Sequence, residues 1–156
     1  MKKILIALDY NPTAQKVAET GYEFAKEMHA EITLLHVISD PVYYSSSVYS
    51  PIMGFGGYVG IDFLQKDITD ELIKSSYSFL SKTIIHLGDK TIHTRVTVGN
   101  VADSILALSK EIHTDIIIMG SHSRKWLEAI VIGSAAEKVL RQTTIPLLII
   151  PTKKRD

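Results

Sequence analysis

The stretch "DIIIMGSHSRKWLEAIVIGSAAEKVL", Asp115 to Leu140, decides the fold. It opens on an apolar run, Ile116 to Met119, that stops at Gly120. It closes on "AAEKVL", which follows Gly133-Ser134 and has the composition of a helix. Between lies a basic, then apolar, segment bracketed by two Gly-Ser pairs. Two structures fit such a segment. One is a loop that wraps a phosphate chain, because phosphates need backbone N–H donors at close range with no Cβ in the way. The other is an ordinary strand-to-helix connection that holds small residues.

The same alternation of strand and helix runs outward in both directions. Lys3 to Leu8 is a short apolar run ended by Asp9, with Asn11-Pro12 behind it, and predicts a buried strand and a turn. From Thr13, a plausible N-cap, small or apolar residues recur at helical spacing: Ala14, Val17, Ala18, Gly21, Phe24, Ala25 and Met28. "EITLLHVI" is the second strand. Helical spacing resumes at Ile68, Leu72, Phe79, Leu80, Ile84 and Leu87, and Gly88 is a natural stop. "KTIHTRVTV" alternates as a third strand, and Gly99-Asn100 turns the chain into a helix with Val101, Ile105, Leu108 and Ile112 on one face. "DIIIMG" is the fourth strand, a helix covers about Ser134 to Arg141, and "IPLLIIP" is the fifth strand before a solvated tail.

Residues 39–62 break this rhythm. They are rich in Ser, Gly, Pro and Tyr without a clean period, and predict a long loop with room for one short helical turn. Elsewhere the order is β-α-β-α-β-α-β-α-β. Strands that are apolar without strict alternation belong to a parallel sheet covered on both faces. The expectation is a doubly wound α/β fold, whose ligands sit beyond the carboxyl ends of the strands where strand order reverses.

Composition narrows the function classes. The chain has 156 residues, which suits one domain, 1–156. Its 17 Lys and Arg balance 17 Asp and Glu, so no global field steers it to nucleic acid or an anionic membrane. It has no cysteine, which excludes disulfides, thiolate metal sites and cysteine nucleophiles. The apolar part of "MKKILIALD" is too short for a secretion signal, and no apolar run approaches a membrane span. The expectation is a cytoplasmic protein.

Taken in order, these pieces resemble the universal stress protein family. Its nucleotide-binding members show G-x2-G-x9-G-[ST]. Gly120 matches the first glycine; nine residues, Arg124 to Ile132, separate Ser123 from Gly133; and Gly133-Ser134 matches the final pair. The second glycine is replaced by Ser123. "KKILIALD" resembles the family's first strand with its terminal Asp, here Asp9, and "LLHVI" its second strand. "VTVGNVADSILALSKE" resembles its glycine-containing turn and third helix, and "TTIPLLIIP" its closing strand. The "DGS" that often follows the first strand is "DYN" here. The resemblance covers nearly the whole chain.

The resemblance implies a three-layer α/β/α sandwich of the adenine nucleotide alpha hydrolase type, with a five-stranded parallel sheet ordered 3-2-1-4-5. Asp9 and Gly120 would then share one cleft. It implies adenosine near Asp9 and Val37, with Ala7 and Met119 also among the nucleotide-binding residues. It implies phosphates held by Gly120, His122, Ser123, Arg124, Gly133, Ser134 and Ala135. The ligand would be ATP, or ADP or AMP, and Mg or Mn is the ion with which triphosphates travel. No protein ligand for that ion stands out in the sequence, and no Walker loop is present. If Ser123 must adopt a left-handed backbone, it costs roughly 1–2 kcal/mol. Micromolar binding is worth about 8 kcal/mol, so the site weakens without being lost. Serine also keeps its N–H and adds a hydroxyl.

Three functional readings follow. The first is a dimeric stress-response switch or protective partner that binds ATP. The second is a dimeric interaction module of the same fold without a nucleotide. The third is a slow ATPase, for which the sequence offers no positioned base. Family members commonly dimerise through the last strand, here 145–151, where Pro146 and Pro151 bracket an apolar edge. The chain's own loops would be the alternative cover.

Other residues carry plainer alternatives. Asp9 alone fits a helix N-terminal role. His29, His36, His86, His93, His113 and His122 show no metal-ligand spacing. Trp126, Leu127, Ile130 and Val131 fit a lid or a packed amphipathic segment, and Glu128 a solvated face. Tyr43, Tyr44, Tyr49 and Tyr58, in the 39–62 loop, fit an unknown protein partner's surface, a phosphorylation target or a mobile loop.

Overall fold

The computed structural model describes residues 1–9, 12–39, 59–121 and 132–152. In chain order these hold β1 (Lys3–Ala7), α1 (Ala14–Glu27), β2 (Glu31–Ile38), α2 (Val59–Leu87) and β3 (His93–Val98), then α3 (Val101–Glu111), β4 (Ile116–Gly120), α4 (Ser134–Gln142) and β5 (Leu147–Ile150). The strands form one sheet in the order β3-β2-β1-β4-β5, parallel at every pairing. This is the expected order, with β1 and β4 adjacent at the reversal.

Strand residues alternate between two cores, one under each helical layer. Ile4, Ile6, Ile32, Leu34 and Ile118 join Val17, Ala18 and Ala25 of α1 and Leu80 of α2. Leu5, Leu35, Val37, Ile117 and Met119 join Ala102, Ile105 and Leu108 of α3 and Ala136 and Val139 of α4. The central strands are therefore apolar on both faces. The edge strand β3 is not: His93 and Arg95 are exposed while Val96 packs inward, which explains why only this strand alternates in sequence.

α1 lies close to the sheet because Gly21 faces it. A Cβ there would stand 3.1 Å from Ile6 Cδ1 and 3.4 Å from Ile118 Cγ2. Thr13 occupies the N-cap position, but its side chain makes no capping hydrogen bond. Asn100 does cap its helix, its Oδ1 accepting the Asp103 N–H at 3.0 Å.

The second helix corrects one boundary. It begins at Val59, inside the stretch expected to be loop to residue 62. The helical spacing runs back from Ile68 through Leu64 to Ile61, and the glycines around it masked that period. Residues 40–58, with Tyr43, Tyr44, Tyr49 and Tyr58, lie outside the described residues.

Candidate functional site

Register brings the strand ends together. Ala7, the last residue of β1, is level with Met119 of β4 and with Leu35 of β2. The Leu8 N–H continues the pairing with β2, donating to the Leu35 carbonyl at 2.8 Å. Asp9 follows one residue later, exposed, and Val37 lies two residues beyond Leu35. Ala7, Val37, Met119 and Ala135 all belong to the core under α3 and α4. They form one apolar floor beneath the place where β1 and β4 end.

A buried histidine on the opposite face of the sheet fixes the end of β1. His36 Nδ1 lies 2.8 Å from the Leu8 carbonyl. A carbonyl only accepts, so Nδ1 donates. The ring stands edge-on to Phe79 of α2, with centroids 5.9 Å apart. Both main-chain groups of Leu8 are thus fixed by β2, and Asp9 leaves from a clamped residue. The sequence expectation of a strand residue holds for His36, but this second bond needed the fold to be seen.

The neck of the glycine segment is equally defined. Gly120 ends β4. The next residue, Ser121, accepts the Gly133 N–H on its carbonyl at 3.1 Å. Both flanks of the segment therefore meet. Gly133 is the N-cap of α4 with φ −56°, so glycine serves there by lacking a side chain, not by its freedom of φ. The first N–H groups of α4, on Ser134, Ala135 and Ala136, have no acceptor within the helix. Gly133 brings no side chain to cap them, and they give this helix start a partial positive charge. His122, Ser123 and Arg124 lie outside the described residues, as do Trp126, Leu127, Glu128, Ile130 and Val131.

Charge is distributed asymmetrically around this end. Lys138 of α4 bonds Asp103 Oδ1 at 3.0 Å and reaches Asn100 Oδ1 at 3.5 Å, tying the starts of α3 and α4. Two of the carboxyls held below their usual range, Asp89 and Asp115, sit at the opposite end of the sheet. Asp89 is lowered by the Thr91 hydroxyl and N–H, and Asp115 by the Lys3 N–H and then the Lys2 ammonium. Among the described residues no three His, Asp or Glu side chains converge to hold a metal ion. Nor is any described helix long and apolar enough to cross a membrane.

Ser121 is the residue that sequence reasoning missed. The signal was present in the duplicated Gly-Ser pair, Gly120-Ser121 and Gly133-Ser134, whose first serine drew no role.

The sequence matches the model of the Universal stress protein family over residues 1–151. It is 27% identical over 156 residues to universal stress protein MJ0577 of Methanocaldococcus jannaschii, covering 97% of this chain and 96% of that one. It is 28% identical over 150 residues to universal stress protein YxiE of Bacillus subtilis, covering 95% and 97%. The solved structure of MJ0577 superposes with a TM-score of 0.76 at 24% identity, covering 99% of this chain and 98% of that one. A universal stress protein solved in complex with cAMP superposes with a TM-score of 0.59 at 16% identity, covering 97% and 98%.

Proposed function

Since this chain belongs to the universal stress protein family, we propose that it binds an adenine nucleotide, ATP foremost, in the cleft beyond β1 and β4, and works as a dimeric stress-response switch or protective partner. One observation carries the proposal. The apolar residues Ala7, Val37 and Met119 pack in the same core as the start of α4, whose N-cap is a glycine tied to the end of β4 by the Gly133–Ser121 bond. An adenine needs the first and a phosphate the second. The cAMP complex of a fold relative adds that one protein of this family accommodates an adenine nucleotide.

Each residue has a role in this reading. Ala7, Val37 and Met119 bed the base, and Asp9 accepts a hydrogen bond from the ribose. The amides of Ser134 and Ala135 and the Ser134 hydroxyl meet the phosphates. Gly120 and Gly133 leave room for them. His122, Ser123 and Arg124 complete the phosphate side. The Gly133 N–H is committed to Ser121 and is no phosphate donor. A divalent ion arriving with a triphosphate would take its oxygens from the phosphates and water, since the described residues build no site for it. Binding, not rapid turnover, is the proposed work. The proposed dimer pairs the outer edge of β5, in the cytoplasm.

Native mass spectrometry of the freshly purified chain, followed by calorimetry with ATP, ADP and AMP, tests this. The expected result is micromolar affinity, about 8 kcal/mol, and its loss in Gly133→Val, which fills the approach. Sedimentation of the same sample should return twice the chain mass. A dimer that takes up no adenine nucleotide would leave the interaction module as the function.

A further inference from the structure

Ser121 joins three parts of the chain that are distant in sequence. Its N–H donates to the Ile150 carbonyl at 3.0 Å, and its own carbonyl accepts the Gly133 N–H at 3.1 Å. Its hydroxyl oxygen accepts the Thr152 N–H at 3.1 Å and lies 3.4 Å from the Thr152 hydroxyl. The carbonyl bond is open to any residue at this position, and the N–H bond to any but proline. The hydroxyl bond requires serine or threonine. The group is part-buried, where water competes poorly for it.

We infer that Ser121 is the positioning residue of the glycine segment: its hydroxyl, anchored by the chain leaving β5, fixes the carbonyl that holds Gly133 and so sets the gap between Gly120 and the start of α4. This rests on the nucleotide reading of the cleft. Ser121 does not touch the ligand; it acts through Gly133. A cradle of main-chain donors binds an anion well only if the donors already converge before the anion arrives. The segment itself leaves from β4 and re-enters at α4. Its two ends meet at the Gly133–Ser121 bond, and the chain leaving β5 grips Ser121 twice, through the Ile150 carbonyl and through this side chain. Pro151 stands between the Ile150 carbonyl and the Thr152 N–H that grip Ser121. Its fixed φ stiffens the anchor.

Amide hydrogen exchange on the ligand-free full chain tests the tie directly. In Ser121→Ala the Gly133 and Thr152 amides should exchange about fivefold faster, and in Ser121→Thr they should return toward wild type. Thr152→Pro removes the donor from the other side and should speed Gly133 exchange alike. ATP affinity should fall about fivefold in Ser121→Ala and recover in Ser121→Thr, while the unfolding midpoint falls by only about 2–4 °C in Ser121→Ala and recovers likewise. Recovery with a hydroxyl is what a purely space-filling serine would not give. Gly133 exchange as slow in Ser121→Ala as in wild type overturns the inference, as does a threonine variant that binds no better than alanine. A wild-type chain that binds no adenine nucleotide sinks the nucleotide proposal, while the exchange rates still decide whether Ser121 holds the neck.

Discussion

His36 is a polar ring in an apolar layer, 7% exposed between β1 and α2. It is tolerated because its Nδ1–H meets the Leu8 carbonyl and its edge meets Phe79. Replacing it by leucine keeps the volume and strands that carbonyl. His36→Leu should therefore cost about 1–3 kcal/mol in urea unfolding, the cost of an unmade buried hydrogen bond. His36→Asn, which can present a donor near the same place, should cost less. The comparison separates the bond from the packing. Residue identity alone showed a histidine inside a strand; its partner is 28 positions away and became visible only once β1 and β2 were paired. Ser121 and Thr152, 31 apart, were hidden for the same reason.

Helix ends show how far an element's own sequence reaches. α2 ends at Gly88, with φ 72°, as expected from glycine's ease in the left-handed region. α1 and α3 end in the same backbone shape but on histidine, with φ 51° at His29 and 56° at His113. At both, a paired set of bonds closes the turn. Ala30 N–H reaches the Ala25 carbonyl and His29 N–H the Lys26 carbonyl; Thr114 N–H reaches the Ser109 carbonyl and His113 N–H the Lys110 carbonyl. Both side chains are exposed, so nothing packs to justify the strain. His29→Gly and His113→Gly should each stabilise the chain by about 1 kcal/mol, read as a rise in the thermal midpoint. Helix existence was legible from apolar spacing for α1, α2 and α3, and from composition for α4. These two stops were not, because histidine carries no strong preference for that conformation and the closing bonds are to main-chain atoms.

At the scale of the molecule the two ends of the sheet do different work. The strand starts are bound by charge: Asp115 accepts the Lys3 N–H at 2.8 Å and pairs with Lys2 at 3.2 Å, joining β1 to the entrance of β4. Its carboxyl is held below the usual range by the Lys3 N–H first and Lys2 second. A lowered folded pKa contributes stability that is complete above the free aspartate value of about 3.9. That contribution is lost as pH falls through the lowered value. Asp115→Asn should accordingly lower the thermal midpoint at neutral pH and flatten its decline below pH of about 4, seen in melts across acid pH. The strand ends, by contrast, carry the apolar residues Ala7, Val37 and Met119 and the glycine-capped start of α4. The sequence by itself determined the number and type of elements, the doubly wound class and the glycine spacing. Burial on one face or two is written into each stretch as a period. Only the tertiary structure decided that Ala7 faces Met119, that Leu8 is clamped by His36, and that Ser121 ties Gly133 to the exit of β5. Those contacts depend on strand register, which no single stretch encodes and which is set when all five strands bury their alternating faces at once.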